Sequence, residues 1–182
     1  MTSEFTFLPA GAELLADSEL LESTIKKLAK AINEDFWGKS PLFLCVMNGA
    51  LVFAGKLLTH INQCSLTVDY AHVSRYGDGT EPGDLSFYAR PQAYSMQDTD
   101  VLIIDDILDK GVTLKFLQEH CESRGARSVK TVALVKRKRP EREVVHQADY
   151  VGLELPNKFV FGYGMDYQGF YRNLPGIYTL AD

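Results

Sequence analysis

The residues best suited to chemistry lie in one segment, Val101-Leu102-Ile103-Ile104-Asp105-Asp106-Ile107-Leu108-Asp109-Lys110-Gly111-Val112-Thr113. A wholly apolar run delivers two adjacent carboxylates, Asp105 and Asp106. A third, Asp109, follows three residues on, and Gly111 and Thr113 then open a turn into a helix. The backbone N–H groups of Lys110, Gly111, Val112 and Thr113 would form an anion cradle at such a junction. Thr113 is expected to cap the helix and to donate its hydroxyl to a phosphate. The acid pair stands where it would accept hydrogen bonds from sugar hydroxyls or hold Mg²⁺. Acceptors for a ribose thus lie beside donors for a phosphate. Taken singly, an acid pair merely ends a strand and Asp109 merely caps a turn. Their combination with Gly and Thr at one junction favours a binding site.

These residues need elements to position them. Leu21, Ile25, Leu28, Ile32 and Phe36 recur at helical spacing, predicting a helix from about Ser18 to Trp37, with Glu19 and Glu22 in its first turn and Gly38 beyond its end. Pro41 releases the chain into a strand, Leu42 to Val46. The turn Met47-Asn48-Gly49 leads to a second helix carrying Leu51, Ala54, Leu57, Leu58 and Ile61. Leu66 to Val73 alternates as a half-buried strand does. Ser74 to Pro91, rich in Gly, Asp and Pro, reads as a long loop or exposed hairpin. Val101 to Ile104 and Val129 to Val135 are short apolar strands of the kind buried on both faces of a parallel sheet. A helix from about Thr113 to Arg124 separates them, and Tyr150 to Leu153 and Phe159 to Tyr163 read as two further strands. Alternating strands and helices imply an α/β fold with a mainly parallel sheet, whose ligands sit beyond the carboxyl ends of the strands.

Composition limits the alternatives. The chain has 182 residues, 46% hydrophobic and 24% charged, with a net charge of −5. It can bury a core, and its charge disfavours general nucleic-acid or membrane binding. Cys45, Cys64 and Cys121 show no C-x-x-C spacing, which argues against a zinc site or disulfide framework and for a reducing compartment. Cys45, in an apolar run, reads as a buried thiol. No signal peptide or membrane-spanning run is evident, so a cytoplasmic protein is expected. Gly38-Lys39-Ser40 is rejected as a P-loop end, since Asn33 occupies the first glycine position and a strand follows. His60, His72, His120 and His146 show no ligand spacing. In Lys136-Arg137-Lys138-Arg139, the last three residues read as solvated; an RNA patch is the less favoured alternative.

The central segment resembles the phosphoribosyl-diphosphate motif of type I phosphoribosyltransferases, and further segments resemble their hypoxanthine-guanine branch. Met47-Asn48-Gly49 is similar to that family's diphosphate turn, and Ser74-Arg75-Tyr76-Gly77 to the start of its mobile lid. Val135-Lys136-Arg137 is similar to the segment bearing its purine-contacting lysine. Lys158 to Tyr167, with Phe170-Tyr171-Arg172, resembles its purine pocket and distal diphosphate clamp. The match runs from about residue 41 to 178. Three features depart from the pattern. Lys110 replaces a hydroxyl residue, Asn48 stands where a basic residue is common, and Phe87 to Tyr94 matches nothing in the family.

The resemblance implies a twisted, mainly parallel sheet flanked by helices. It forms one domain with a core of about 41–155 and a small hood from about 1–20 and 156–182. It implies transfer of a phosphoribosyl group to hypoxanthine or guanine through an oxocarbenium-like transition state, with Asp109 as general base. Asp105 and Asp106 would hold the ribose, and residues Asp109 to Thr113 the 5′-phosphate. Asn48, Gly49 and Arg172 would hold the diphosphate. Ser74 and the lid residue Tyr76 would close over it. Lys136, Phe159 and Val160 would hold the base, with Phe159 stacked on it. Mg²⁺ would lie near Asp105, Asp106 and Asp166. Such enzymes are usually dimers or tetramers. Rival readings are an RNA-binding regulator on the same fold, a receiver-like signalling domain, and a phosphoribosyltransferase for xanthine or adenine.

Overall fold

A computed structural model of the chain describes residues 8–63, 65–75, 85–91 and 96–181. Tyr76 and the rest of the expected lid to Asp84, Cys64, and part of the Phe87 to Tyr94 stretch lie outside these residues.

The main sheet contains β2 (Leu42–Met47), β3 (Thr67–Arg75), β4 (Leu85–Ala89), β5 (Asp100–Leu108), β6 (Ser128–Arg137) and β7 (Tyr150–Leu155), in the order β4-β3-β2-β5-β6-β7. All pairs are parallel except β3 with β4, so the segment after Ser74 does contain a hairpin arm at the sheet edge. Strands β2 and β5 are central, and their apolar runs are buried on both faces. One face packs Phe43, Cys45, Leu102 and Ile104 against α1 (Ser18–Asp35) and α2 (Leu51–Leu58). The other packs Leu44, Val46, Val101 and Ile103 against α3 (Val112–Ser123). Each large apolar side chain taken out of water in this way contributes about 1.5–3 kcal/mol.

A second, antiparallel sheet of order β1-β9-β8 joins β1 (Ala12–Ala16), β9 (Ile177–Leu180) and β8 (Val160–Phe161). This is the hood expected from the two flanking segments, although neither β1 nor β9 was predicted as a strand.

Several boundaries differ from expectation. The helix α1 starts where predicted because the Asp17 carboxylate accepts from Leu20 N at 2.8 Å. The helix α2 stops at Leu58, short of Ile61. Strand β5 runs four residues past Ile104, because its ladder with β6 continues to Leu108 opposite Lys136. Asp105 and Asp106 therefore lie inside the strand. For the same reason β6 includes Lys136 and Arg137. Thr113 does not cap α3: Gly111, at φ +80°, holds the N-cap position with no side-chain cap bond, and Val112 already begins the helix. The predicted strand Phe159 to Tyr163 shortens to Val160–Phe161, because Gly162 turns the chain at φ +93°.

Candidate active site

The carboxyl ends of β2, β3 and β5 meet the start of α3 in a cleft of about 350 Å³. Asn48 and Gly49 line it, with Asp105, Asp106, Asp109, Lys110, Gly111, Val112, Thr113, Asp166 and Arg172. Met47, His72, Val73, Ile107 and Leu108 line it as well and were not expected to. The structure supplies the reason: parallel pairing sets His72 opposite Met47, so the two strands deliver their ends to the same edge. Ser74, expected in the site, is not in this lining; it pairs with Ser86 in the edge hairpin.

The acid pair is held locally. Asp106 N donates to Asp105 Oδ1 and Ile107 N donates to Asp106 Oδ1, each at 3.0 Å. Asp105 is only 6% exposed. Burial pushes its carboxyl well above the usual carboxylate range, and the neighbouring Asp106 charge pushes it further. Burial also raises Asp106, while its hydrogen bonding with Asp105 and with backbone N–H groups pulls it part of the way back, the Arg172 guanidinium adding the least.

Two glycines bring the hood down onto this pair. A Cβ on Gly49 would lie 2.0 Å from Asp106 Oδ2, and a Cβ on Gly164 would lie 2.0 Å from the Gly49 carbonyl oxygen. Gly164 has φ +103°, a conformation that side chains rarely adopt. Arg172 fastens the same contact: it donates to Gly164 O at 2.7 Å and pairs with Asp166 at 2.7 Å. Asp166 also accepts from Gly169 N at 2.8 Å. Both of its oxygens are therefore engaged. Tyr163, Gln168 and Tyr171 in this hood loop have left-handed φ, which costs about 1–3 kcal/mol each and is typical of residues held for a function.

The turn from Asp109 to Thr113 is braced by the segment at Val145 and His146. Val145 N donates to Lys110 O at 2.9 Å, and a Cβ on Gly111 would meet His146 O at 2.3 Å. Only glycine fits at this position.

Asp109 is not alone in the cleft. Arg139 donates from Nε to Asp109 Oδ1, and from Nη2 to Oδ2 at 3.2 Å. Arg137 Nη1 lies 3.5 Å from Oδ1. The side chains of Arg137 and Arg139 are 17% and 16% exposed, so the reading of both as solvated is corrected: the carboxylate draws them inward. Lys136 Nζ lies 3.6 Å from Glu154. Three of the four basic residues of the run thus have acidic partners within the fold.

The expected base-binding residues stand apart from this cleft's lining. Phe159 is 51% exposed, with its ring edge against Tyr167 at 5.8 Å, while Val160 is buried in β8. Among the described residues no three His, Cys, Asp or Glu side chains converge as a metal cage. No described helix is long and apolar enough to cross a membrane.

A sequence profile of the phosphoribosyl transferase domain matches residues 11–168. The chain belongs to the phosphoribosyl transferase family. Within that family it falls on the hypoxanthine-guanine branch. This phosphoribosyltransferase is 38% identical over 168 residues to the hypoxanthine-guanine phosphoribosyltransferase of Lactococcus lactis, spanning 92% of this chain and 89% of that one. It is 37% identical to the Bacillus subtilis protein of the same name, spanning 92% of each. The hypoxanthine phosphoribosyltransferase of Staphylococcus aureus superposes with a TM-score of 0.85 at 36% identity, over 93% of this chain and 91% of that one. The mixed α/β architecture of this phosphoribosyltransferase is therefore that of its relatives.

Proposed function

We propose that this enzyme transfers the 5-phosphoribosyl group from phosphoribosyl diphosphate to N9 of hypoxanthine or guanine. Diphosphate is released, and IMP or GMP is formed in purine salvage. One observation carries the reading: the acid pair Asp105-Asp106, the N–H cradle from Lys110 to Thr113, and Gly49 with Arg172 line a single cleft. Acceptors for ribose hydroxyls thus stand between donors for the 5′-phosphate and donors for the leaving diphosphate.

Each group has a task that its placement supports. Asp105 and Asp106 hold the ribose hydroxyls, fixing C1′ for in-line attack. Lys110, Gly111, Val112 and Thr113 offer backbone N–H groups at the start of α3, where the helix dipole favours an anion. Asn48, Gly49 and Arg172 take the diphosphate. Phe159, half exposed, is the aromatic that stacks on the purine. Lys136, beside the end of β5 through its register with Leu108, donates to the purine O6. Asp109 accepts the proton from the purine's N7. Its Oδ1 takes Arg139 and Arg137, but its Oδ2 takes Arg139 alone, so an acceptor site is left on Oδ2 among these contacts.

Mg²⁺ fits as an ion carried in with the diphosphate. The described side chains form no three-ligand cage, yet two adjacent carboxylates, raised by burial, line the cleft. Asp105 and Asp106 would meet such an ion, with Asp166 beside it once its pairing with Arg172 loosens. When bound, the ion would supply positive charge next to the leaving group. A cytoplasmic setting suits the free thiols of Cys45 and Cys121, and a dimer or tetramer is the assembly expected of the branch.

The test is a base panel. Purified protein with phosphoribosyl diphosphate and Mg²⁺ is offered hypoxanthine, guanine, xanthine and adenine in turn, and nucleotide formation is followed. Hypoxanthine and guanine should be converted. Adenine, which sets an amino donor against Lys136, should be rejected by ~10⁴-fold or more. Equal turnover of adenine and hypoxanthine would refute the reading.

A further inference from the structure

We infer that Arg139 is a positioning residue for phosphoribosyl transfer: its two-point guanidinium fork holds the Asp109 carboxylate in the orientation that leaves an Oδ2 acceptor site open for the purine. This inference rests on the reading of Asp109 as general base.

The geometry sets Arg139 apart from its neighbours. It contacts both oxygens of Asp109, whereas Arg137 reaches only Oδ1, at 3.5 Å. The Nε of Arg137 is buried without a hydrogen-bond partner among the described residues, so its grip cannot replace a fork. Arg139 is itself anchored. Its Nη1 lies 3.2 Å from Glu143, its side chain is 16% exposed, and the adjoining backbone is pinned by Lys138 N donating to Leu155 O at 2.9 Å. Asp109, by contrast, is 39% exposed at the mouth of the cleft, where an unheld carboxylate would turn freely. A planar fork fixes a carboxylate plane; a lysine ammonium, as a point charge, does not.

The experiment is a double-mutant cycle in steady-state kinetics with hypoxanthine and phosphoribosyl diphosphate, using Arg139→Ala, Arg139→Lys, Asp109→Asn and the two combined variants. Circular dichroism checks the fold of each. Arg139→Lys should lower kcat by ~10–10²-fold, the scale of a misplaced catalytic group, with KM for phosphoribosyl diphosphate unchanged. In the Asp109→Asn background the same change should cost nothing further. Three results would overturn the inference: full kcat in Arg139→Lys, multiplied losses in the combined variant, or a raised KM showing that Arg139 only braces the phosphate turn. Should Arg139→Ala fail to fold, the lysine variant still decides the matter. Near-normal turnover in Asp109→Asn would instead refute the base assignment itself, and the inference would fall with it.

Discussion

Gly49 lies directly beneath the Asp106 carboxylate, so close that a Cβ there would stand 2.0 Å from Oδ2. The hood repeats the arrangement one layer out, with Gly164 equally close to the Gly49 carbonyl. Backbone at Gly49 is thereby pressed against one acidic side chain, and hood backbone against Gly49, so a Cβ at Gly49 could enter only by moving the Asp106 carboxylate.

Gly49→Ala should therefore displace Asp106 and the diphosphate turn together. The expected result is a loss of ~10²-fold or more in kcat/KM, expressed largely as a raised KM for phosphoribosyl diphosphate, in a protein with an unchanged far-ultraviolet spectrum. Steady-state kinetics and circular dichroism on one preparation check this, and unaltered kinetics would show that the contact is dispensable.

Asp105→Asn should make the protein more stable and less active. Burial raises the folded carboxyl above its ordinary value of 3.8. Its contribution to stability is therefore complete below that value and is lost as pH climbs through the raised one. The amide keeps the acceptor for Asp106 N but carries no charge to bury. Melting curves should show the variant ahead at pH 8 and less so at pH 5, each kcal/mol being worth roughly 2–4 °C in Tm. A gap that widens on acidification would contradict the assignment.

Arg172 serves Gly164 O and Asp166 at once, each at 2.7 Å. Arg172→Lys keeps the charge but offers a single ammonium, so one partner is lost. An increase of about tenfold in KM for phosphoribosyl diphosphate is expected, the scale of one lost hydrogen bond to a charged group. The base KM should change less. Equal increases for both substrates would assign Arg172 to hood stability instead.

Cys45 and Cys121 should resist thiol reagents at pH 8 in the folded protein. Burial pushes their thiols to about 11 and about 12, so neither supplies the reactive thiolate. Dithionitrobenzoate titration with and without guanidinium reads this directly. Mass spectrometry should place label on these two residues only in the unfolded chain.

That Asp105 to Thr113 would gather at one cleft was legible because its signal is local. The apolar run before Asp105, the spacing to Asp109 and the glycine at 111 are consecutive in the chain, and a buried parallel strand has few other sequences to choose from. The hood was legible only as a region. Ala12–Ala16 and Ile177–Leu180 are short and of mixed polarity, and each becomes a strand because the other supplies its ladder. Thr113 was misjudged as a cap because a left-handed glycine, Gly111, fills the cap position two residues earlier. Arg137 and Arg139 were misjudged because long basic side chains take their burial from partners distant in sequence; Asp109 sits thirty residues before Arg139. His72 was assigned no role, since its place in the cleft lining depends on which strand lies beside β2, a fact of topology that its neighbours in sequence do not encode.

The hood sheet also fixes an order of manufacture. Strand β1 is made well before its ladder partner β9, and β8, next to Phe159, pairs with β9 as well. Strands β2, β5 and β6, which precede β9, can pair while synthesis continues, whereas the three-stranded hood sheet must wait for β9 to emerge. On the proposed function, a nascent chain would thus present its phosphate-binding backbone before it could hold a base. Loss of the β9 segment should leave a protein able to bind phosphoribosyl diphosphate with nowhere to deliver it.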